Sequence, residues 1–380
     1  MRNKVQTPYI QSRLRSARVA RGLSQQELAT RIGLTRQAVI SIESGRYVPN
    51  TTVALRLAQV LGCRVEDLFA LPESETLAPV KVWSPTSGSD SRLVIAKVGD
   101  RLVGHALTPS RPAFEGFASA DGLCAEELGQ ARLLRPVEQL ARTGLVMGCD
   151  PSLSILSTHV SRQNPELRLT CVPACSLAAL EAVARGGAHI AGSHLREAAS
   201  GECNLGHAQR ALASTGGIVV TLATWEQGLM VLKGNPRKVR SIQDLARRGV
   251  RFINREVGAG ARAALDESLG VAGVPAEAVA GYDRIAQGHF ATALAVVNGA
   301  ADVGMGLRAV SSAFDLEFVP LLEVRFDLVI PQDHLEHPVV KTLLDLLQTR
   351  QFRADLASLP GYDVRQTGSV QARFPRPPRA

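Results

Sequence analysis

Short apolar runs alternate with helical patterns between residues 143 and 362, and this alternation limits the fold more than any other feature. Strands that alternate with helices of 10–15 residues form βαβ units around a mainly parallel sheet. The region therefore predicts an α/β body. Its first segments are GLVMG (144–148), PSLSILSTHVSRQ (151–163), RLTCV (168–172), SLAALEAVARG (176–186) and AHIAG (188–192).

Positive charge is concentrated ahead of this body. Residues 1–70 contain eleven Lys or Arg and four Asp or Glu, whereas residues 71–380 contain 32 and 31. A basic module in front of a nearly neutral body indicates an anionic polymer or a membrane surface as the partner of the first part.

Membrane and metal-site patterns are absent from the sequence. No run reaches the ~18 apolar residues of a membrane helix, and the polar N-terminus is unlike a signal peptide. We therefore expect a cytoplasmic protein with no membrane partner. Cys171 and Cys175 have no matching Cys or His pair, so the spacing predicts neither a metal site nor a resident cofactor.

Two short helices are predicted near the N-terminus. Ser24 is a good N-cap, and Glu27 three residues later completes a capping box. Gly33 ends this helix, and Thr35 begins the next, which Gly45 closes. Two helices joined by a short turn with glycine form a helix-turn-helix.

The stretch 14–69, with its segments GLSQQELA, IESGR and LAQVLG, resembles the XRE family of lambda-repressor and Cro-like regulators. The resemblance covers a complete five-helix unit and implies a DNA-binding domain over residues 1–71. It also implies double-stranded operator DNA as a partner and a homodimer as the binding form.

The helix that begins at Thr35 would enter the major groove. Arg36 and Gln37 are the best candidates for base contacts, because Arg pairs with guanine and Gln with adenine. Ile40 would either contact a thymine methyl or pack against a neighbouring helix. The resemblance places further residues near phosphates. The predicted DNA contacts are Gln25, Thr35, Arg36, Gln37, Ile40, Ser41, Arg46, Tyr47 and Asn50.

Residues 72–142 are predicted to be a linker that contains a β-hairpin at 92–107, around Gly99 and Asp100. The body is predicted to span 143–365. The segment 366–380 ends in RFPRPPRA, and its Arg and Pro content predicts a disordered basic tail.

The region 144–331 resembles the periplasmic-binding-protein-like domain that occurs fused to XRE-type domains and to molybdopterin-biosynthesis proteins. The segments behind this resemblance are GGAHIAGSHL (186–195), GECN (201–204), WEQGLMVLKGNP (225–236), FINREVGAGAR (252–262) and NGAADVGMGLR (298–308). It implies a multidomain chain, in which an all-α five-helix domain precedes an α/β two-lobed domain of type II. It also implies a small-molecule effector in the cleft, with molybdate and tungstate as the first oxyanions to consider.

Ligand contacts are expected where helices begin, because free backbone N–H groups there attract anions. Relatives commonly read GSGTR where this chain reads GAGAR, so Ala259 and Ala261 replace two hydroxyl residues. That change argues against a tetrahedral oxyanion and favours a neutral or larger cofactor-like ligand. Asp150 could be a helix cap, and Trp225 could be a packed or a stacking aromatic. The predicted contacts are Cys149, Ser152, Ser176, Ser193, His194, Arg255, Gly258, Gly260, Arg262, His289 and Thr292.

Catalytic motifs such as GxSxG and HExxH do not occur, so we expect no enzyme activity. The sequence predicts a ligand-responsive transcription regulator. Two alternatives remain: a ligand-storage or delivery protein, and a biosynthetic enzyme of molybdenum-cofactor metabolism, each using DNA binding for autoregulation.

Overall fold

The computed structural model describes residues 10–70, 76–83, 91–107, 118–125, 129–196 and 203–378. The chain divides into two compact units, Met1–Thr76 and Leu77–Ala380. Within the described ranges, every helix is too short or too polar to span a bilayer.

The first unit is helical, as the sequence predicts. Its helices are α1 (Leu14–Ala20), α2 (Gln25–Ile32), α3 (Arg36–Glu43), α4 (Thr51–Leu61) and α5 (Val65–Leu68), and the short strands β1 (Gln11–Ser12) and β2 (Phe69–Ala70) pair antiparallel. Side chains from all five helices fill its core, and the fully buried ones include Leu14, Leu28, Val39, Ile42, Leu57 and Leu68.

Local sequence signals set the helix boundaries of this unit. The Ser24 hydroxyl accepts from the Glu27 backbone N–H at 3.2 Å, and the Glu27 carboxylate accepts from the Ser24 N–H at 2.7 Å. Gly33 ends α2 at a φ of 72°, in the left-handed region that favours glycine. Thr35 caps α3 by accepting from the Ala38 N–H at 3.2 Å. The predicted capping box and both helix starts are confirmed.

A small closed barrel opens the second unit, and it corrects the prediction of a linker over 72–142. The predicted hairpin is present as two of its strands, but three further strands pair around it. Such pairings join residues distant in sequence, so local pattern alone does not reveal them. The strands are β3 (Leu77–Val82), β4 (Arg92–Val98), β5 (Arg101–Ala106), β6 (Gly122–Cys124) and β7 (Gln130–Leu133), in the order β3-β5-β4-β6-β7.

Asp121 ties this barrel to the α/β body. Its buried carboxylate accepts from the Ile95 N–H at 2.8 Å and pairs with Arg135 at 3.0 Å and Arg168 at 2.6 Å. Arg168 is the first residue of the second strand of the body, so the buried Asp121 carboxylate links the barrel to the body.

The body is built on a ten-stranded sheet whose main order is β13-β12-β14-β11-β15-β10-β8-β9. The helix α6 (Val137–Leu140) precedes it. Its strands are β8 (Thr143–Gly148), β9 (Arg168–Pro173), β10 (Ile190–Ser193), β11 (Gly217–Val231), β12 (Phe252–Arg255), β13 (Ile285–Ala286), β14 (Val303–Leu307), β15 (Glu317–Pro331), β16 (Tyr362–Asp363) and β17 (Val370–Phe374). Its helices are α7 (Leu153–Gln163), α8 (Ser176–Ala184), α9 (Leu205–Ala211), α10 (Gly260–Val271), α11 (Gly288–Val297), α12 (Arg308–Ala313), α13 (Pro338–Leu346) and α14 (Arg350–Ala357).

Two long strands divide this sheet into two lobes. β8 pairs in parallel with β9 and β10 in the first lobe, and β12 pairs in parallel with β13 and β14 in the second. Between them, β11 and β15 run antiparallel for 15 residues each, from the pair Gly217–Pro331 to the pair Val231–Glu317. The predicted two-lobed body with mainly parallel strands is therefore present, and β11 and β15 cross between the lobes.

The end of the chain corrects the prediction of a disordered tail over 366–380. β17 pairs antiparallel with β11, with Phe374 opposite Gly217 and Val370 opposite Val220. Ala372 and Phe374 pack against buried side chains of the first lobe. The alternation of apolar and polar residues in VQARF is typical of a strand. The Arg and Pro residues that follow it favoured the prediction of disorder instead.

A buried histidine joins the barrel to the first lobe. His189 Nδ1 accepts from the Leu145 N–H at 3.0 Å, so its Nε2–H donates to the Lys97 carbonyl at 3.1 Å. The rings of His334 and His337 lie 4.9 and 4.5 Å from its ring. Burial, together with these two neighbours, lowers the pKa of His189 well below 6.5.

Acidification should therefore destabilise the protein. A histidine that stays neutral in the folded state binds a proton in the unfolded state as the pH falls below about 6.5. Stability is then full above pH 6.5 and declines as the pH falls toward the lowered pKa of His189. Urea unfolding at pH 7.5 and 5.5 measures this difference. An unchanged free energy of unfolding between these two values would contradict the neutral, doubly hydrogen-bonded His189.

Candidate functional site

The predicted DNA contacts lie at the start of α3 and in the loop that follows it. Arg36 and Gln37 are exposed, and Ile40 and Ser41 are half-buried one turn later. The Thr35 hydroxyl is used as the helix cap. Arg46, Tyr47 and Asn50 are exposed, and the Asn50 side chain caps α4 by accepting from the Val53 N–H at 2.9 Å.

Gln25 is held by a buried ion pair rather than left free. Arg18 Nε donates to the Glu43 carboxylate at 2.6 Å, which joins α1 to the end of α3. Gln25 Nε2 donates to the same carboxylate at 2.9 Å. The Gln25 amide is thus oriented by Glu43, a residue that sequence reasoning did not single out.

Arg36→Ala and Arg46→Ala should affect DNA binding differently. Loss of a base contact costs about 1–3 kcal/mol and relaxes sequence choice, whereas loss of a phosphate contact weakens binding to all DNA alike. Fluorescence anisotropy with DNA from upstream of the gene and with unrelated DNA separates the two effects. Equal losses on both DNAs in both variants would contradict these roles.

The second candidate site lies where the two lobes meet. The carboxyl ends of β8, β10 and β12 converge there with the first residues of α8, α10 and α11. The Cys149 Sγ and one ring nitrogen each of His194 and His289 all lie within 4.8 Å of one another. His194 and His289 are buried, and Cys149 is half-buried. These three residues are called the cleft cluster below.

Loops at strand ends and helix starts position the cleft cluster. Cys149 follows β8, and His194 follows β10 with its backbone N–H bonded to the Ser176 hydroxyl at 3.2 Å. His289 is the second residue of α11. A Cβ on Gly260 would lie 2.6 Å from His194 Nδ1, so only glycine at that position lets the start of α10 lie against this imidazole.

A buried ion pair adjoins the cleft cluster. Arg255 donates to the Glu256 carboxylate through Nε at 2.8 Å and Nη2 at 2.9 Å. Burial opposes charge on both groups. The pairing outweighs that effect, because it raises the pKa of Arg255 and lowers the pKa of Glu256. Arg255 Nη1 also donates to His289 Nδ1 at 3.0 Å, which places the proton of a neutral His289 ring on Nε2.

The cleft cluster itself is uncharged at neutral pH. Burial, with a contribution from Arg255, lowers the pKa of His194 to about 3 and the pKa of His289 well below 6.5. Burial raises the pKa of the Cys149 thiol to about 12. Both imidazoles are therefore neutral, and the sulfur holds its proton.

Several buried polar atoms around the cleft cluster have no hydrogen-bond partner among the described residues. Most buried polar groups in proteins are paired, and each unpaired one costs about 1–3 kcal/mol. A concentration of such atoms at the junction of two lobes indicates a ligand that pairs with them. The atoms are both ring nitrogens of His194, Nε2 of His289, Oγ of Ser193, Nε1 of Trp225 and the side-chain amide of Gln227.

The side chains of two other predicted ligand contacts bind groups of the protein itself. Arg262 donates to the Arg255 carbonyl at 3.2 Å, and its guanidinium lies over the Tyr282 ring. The Thr292 hydroxyl donates to the Gly288 carbonyl at 2.9 Å. Gly258 adopts a φ of 87°. The structure therefore brings Arg255, Gly260 and Ser176 to the cleft cluster. The side chains of Arg262 and Thr292 instead form hydrogen bonds with backbone carbonyls of neighbouring residues.

The start of α7 shows what the Asp150 side chain contacts. The Asp150 carboxylate accepts from the Ser152 N–H at 2.8 Å and from the Tyr362 hydroxyl at 2.6 Å. Burial raises the pKa of Asp150 to about 6, against the effect of these hydrogen bonds. Asp150 thus stabilises the turn that leads into α7, while the N-cap position of this helix is Ser152, which is fully buried beside it.

The crossing strands supply Trp225, which the sequence singled out, and Gln227, which it did not. Trp225, weighed as packed or stacking, is 1% exposed, and its ring centroid lies 5.0 Å from Phe326 and 5.2 Å from His194. Gln227 lies two residues further along β11 and is fully buried. A polar amide within the apolar run of β11 was the signal that could have identified it.

Two families account for most of the chain. Residues 14–68 match a helix-turn-helix family, and residues 157–348, half of the chain, match the PBP superfamily domain. The chain therefore belongs to the PBP superfamily and carries an N-terminal helix-turn-helix domain. The predicted fold class is confirmed.

Curated relatives match parts of the chain. The Bacillus subtilis (strain 168) protein YvgK is 33% identical over 226 residues, which are 60% of this chain and 72% of YvgK. An HTH-type transcriptional regulator of Methanothermobacter thermautotrophicus is 48% identical over 61 residues, 16% of this chain and 88% of that protein.

Solved structures are similar to part of the chain at low identity. A putative phosphate ABC transporter substrate-binding protein with bound phosphate, from Clostridium perfringens, is 15% identical with a TM-score of 0.45 and covers 57% of this chain and 96% of its own. The sulfate-binding protein SubI from Mycobacterium tuberculosis H37Rv is 15% identical with a TM-score of 0.45 and covers 58% and 86%.

Proposed function

We propose that this protein is a ligand-responsive transcription regulator. The helix-turn-helix domain binds operator DNA, and the two-lobed body binds a small molecule between its lobes. The observation that supports a ligand most strongly is the set of buried, unpaired polar atoms around the cleft cluster. These atoms come from both lobes and from the crossing strands, so a ligand that paired with them would stabilise one arrangement of the lobes.

The proposed effector is an oxyanion of the molybdate or tungstate type, or a related cofactor compound. Arg255, the hydroxyl groups of Ser176 and Ser193 and the starts of several helices favour an anion. Glu256 neutralises Arg255, however, and Ala259 and Ala261 provide no hydroxyl. Hydroxyl groups and the backbone N–H groups at helix starts, rather than a net positive charge, would therefore bind the anion.

The proposed regulator acts as a cytoplasmic homodimer. A ligand alters DNA binding only if its affinity differs between two arrangements of the protein. Lobe closure would change the spacing of two DNA-binding domains, which read half-sites about 10 base pairs apart. The sign of the effect depends on which arrangement matches the operator.

We propose binding rather than catalysis at this site. With the pKa of Cys149 raised to about 12, its sulfur stays protonated at neutral pH and is a poor nucleophile. A storage or delivery role is the alternative that such a binding site permits, and it predicts no effect of the ligand on DNA affinity.

A thermal-shift screen of the full-length protein against molybdate, tungstate, sulfate, phosphate and pterin compounds tests the effector class. A ligand at 100 times its dissociation constant adds about 2.7 kcal/mol of stability. Molybdate or tungstate should raise the melting temperature. An unchanged melting temperature at millimolar molybdate and tungstate would exclude the oxyanion proposal.

A further inference from the structure

We propose that Cys149, His194 and His289 form a binding site for a single thiophilic metal ion of the zinc class. The three residues come from distant parts of the sequence, and the fold places one sulfur and two imidazole nitrogens within 4.8 Å of one another. The metal would use the same His194 and His289 nitrogens that support the proposed ligand, so this inference concerns what occupies that site. Its test needs neither molybdate nor DNA.

The size of the cleft cluster suits one ion. Zinc bonds are about 2.3 Å to sulfur and about 2.0–2.1 Å to nitrogen, so one sulfur and two nitrogens in a tetrahedral site lie roughly 3.3–3.6 Å apart. The ligand atoms of the cleft cluster lie within 4.8 Å of one another and need to approach by at most roughly 1.5 Å. Three protein ligands leave a fourth position for water or another small ligand.

Some of the nitrogens available to a metal have no hydrogen-bond partner among the described residues. His194 is 1% exposed, and both of its ring nitrogens are without a partner among the described residues. His289 is 2% exposed, and its Nε2 is likewise unpaired. A neutral imidazole presents a lone pair on one nitrogen, and neutral imidazole with thiolate is the ligand set that zinc and related ions select.

The neighbouring charges allow a cation. Arg255 would repel a metal ion, but its two hydrogen bonds to Glu256 neutralise that charge. On metal binding the Cys149 S–H bond breaks, its proton passes to solvent and an S–metal bond forms. If His289 binds through Nε2, its ring proton moves to Nδ1, which can then no longer accept from Arg255. Arg255 Nη1 must then turn away from this ring, because two N–H donors would otherwise face each other.

The bound ion would join the two lobes. Cys149 and His194 follow strands of the first lobe, whereas His289 belongs to a helix of the second. The metal would therefore stabilise the arrangement of the lobes in which these three residues meet. Removal of one ligand should reduce metal affinity, while removal of a nearby cysteine outside the cleft cluster should not.

Titration of the full-length, metal-free protein with Co²⁺ tests this site, because cobalt reports tetrahedral thiolate coordination by its absorption. We expect one strongly bound Co²⁺ per chain, a sulfur-to-cobalt charge-transfer band and displacement by Zn²⁺. Cys149→Ser should abolish the band, and His194→Ala and His289→Ala should weaken binding at least tenfold. Cys175→Ser is the matched control, since this half-buried thiol lies nearby outside the cleft cluster and should leave the spectrum unchanged.

Two results would overturn the metal site: no stoichiometric Co²⁺ binding by the wild-type protein, or an unchanged charge-transfer band in Cys149→Ser. Zn²⁺ should also raise the melting temperature of the wild type, and a chelator should reverse that shift, so the test holds even where a variant folds poorly. If the wild-type protein binds no Co²⁺ but still shows a molybdate-induced shift or specific DNA binding, the metal site is wrong and the proposed regulator stands.

Discussion

Replacing Trp225 by alanine should lower the free energy of unfolding by about 3–5 kcal/mol, because it removes a large buried aromatic side chain and leaves a cavity. Trp225 is 1% exposed and contacts Phe326, His194 and Tyr362 with ring centroids 5.0, 5.2 and 5.9 Å away. It lies on a crossing strand, so the loss affects both lobes. Urea unfolding of the full-length chain measures the change.

The second tryptophan provides a matched control. Trp83 is half-buried at the end of β3, where Lys81 and Arg185 lie over its ring. Trp83→Ala should therefore cost clearly less than Trp225→Ala. Equal losses in the two variants would show that Trp225 is not a main support of the lobe junction.

Asp327→Ala should cost about 3 kcal/mol, near the lower end of the range for a broken buried ion pair. The fully buried Asp327 carboxylate accepts from Thr221 at 2.8 Å, Asn204 at 2.9 Å and Arg325 at 2.9 Å. Removing it leaves these three donors without their acceptor. The cost is limited because the Arg325 side chain is 20% exposed and can reach water.

Glu323→Ala is the comparison for this substitution. Glu323 is exposed on the same strand, β15, and surface substitutions of this kind change stability by less than about 0.5 kcal/mol. Thermal unfolding of both variants gives the difference. A loss below 1 kcal/mol in Asp327→Ala would contradict the account of Asp327 as an anchor between the crossing strands.

The N-terminal domain could be predicted from its sequence because its signals are local. The capping box of Ser24 and Glu27, and the glycine at position 33, act over four to ten residues and define where α2 begins and ends. The same holds for the β4–β5 hairpin around Gly99. Such features depend on neighbours in the chain rather than on the tertiary fold.

The barrel and the final strand could not be predicted, because each depends on pairing across long intervals. β3 pairs with β5 and β7, and β17 pairs with β11 some 150 residues earlier in the sequence. In the cleft, sequence reasoning selected Cys149, His194 and His289 separately as ligand contacts but predicted no metal. Their separation in sequence gives no zinc-like spacing, and only the fold brings them together.

We propose that a ligand bound between the lobes controls DNA binding, and a comparison of DNA affinities with and without molybdate tests this claim. The dissociation constant for DNA from upstream of the gene is measured at fixed salt, with and without molybdate, for wild type and for His194→Ala. Allosteric coupling of about 1–3 kcal/mol predicts a change of roughly fivefold or more in the wild type, and a much smaller change in the variant. The same constant with and without molybdate in the wild type, or an equal response in His194→Ala, would contradict the claim.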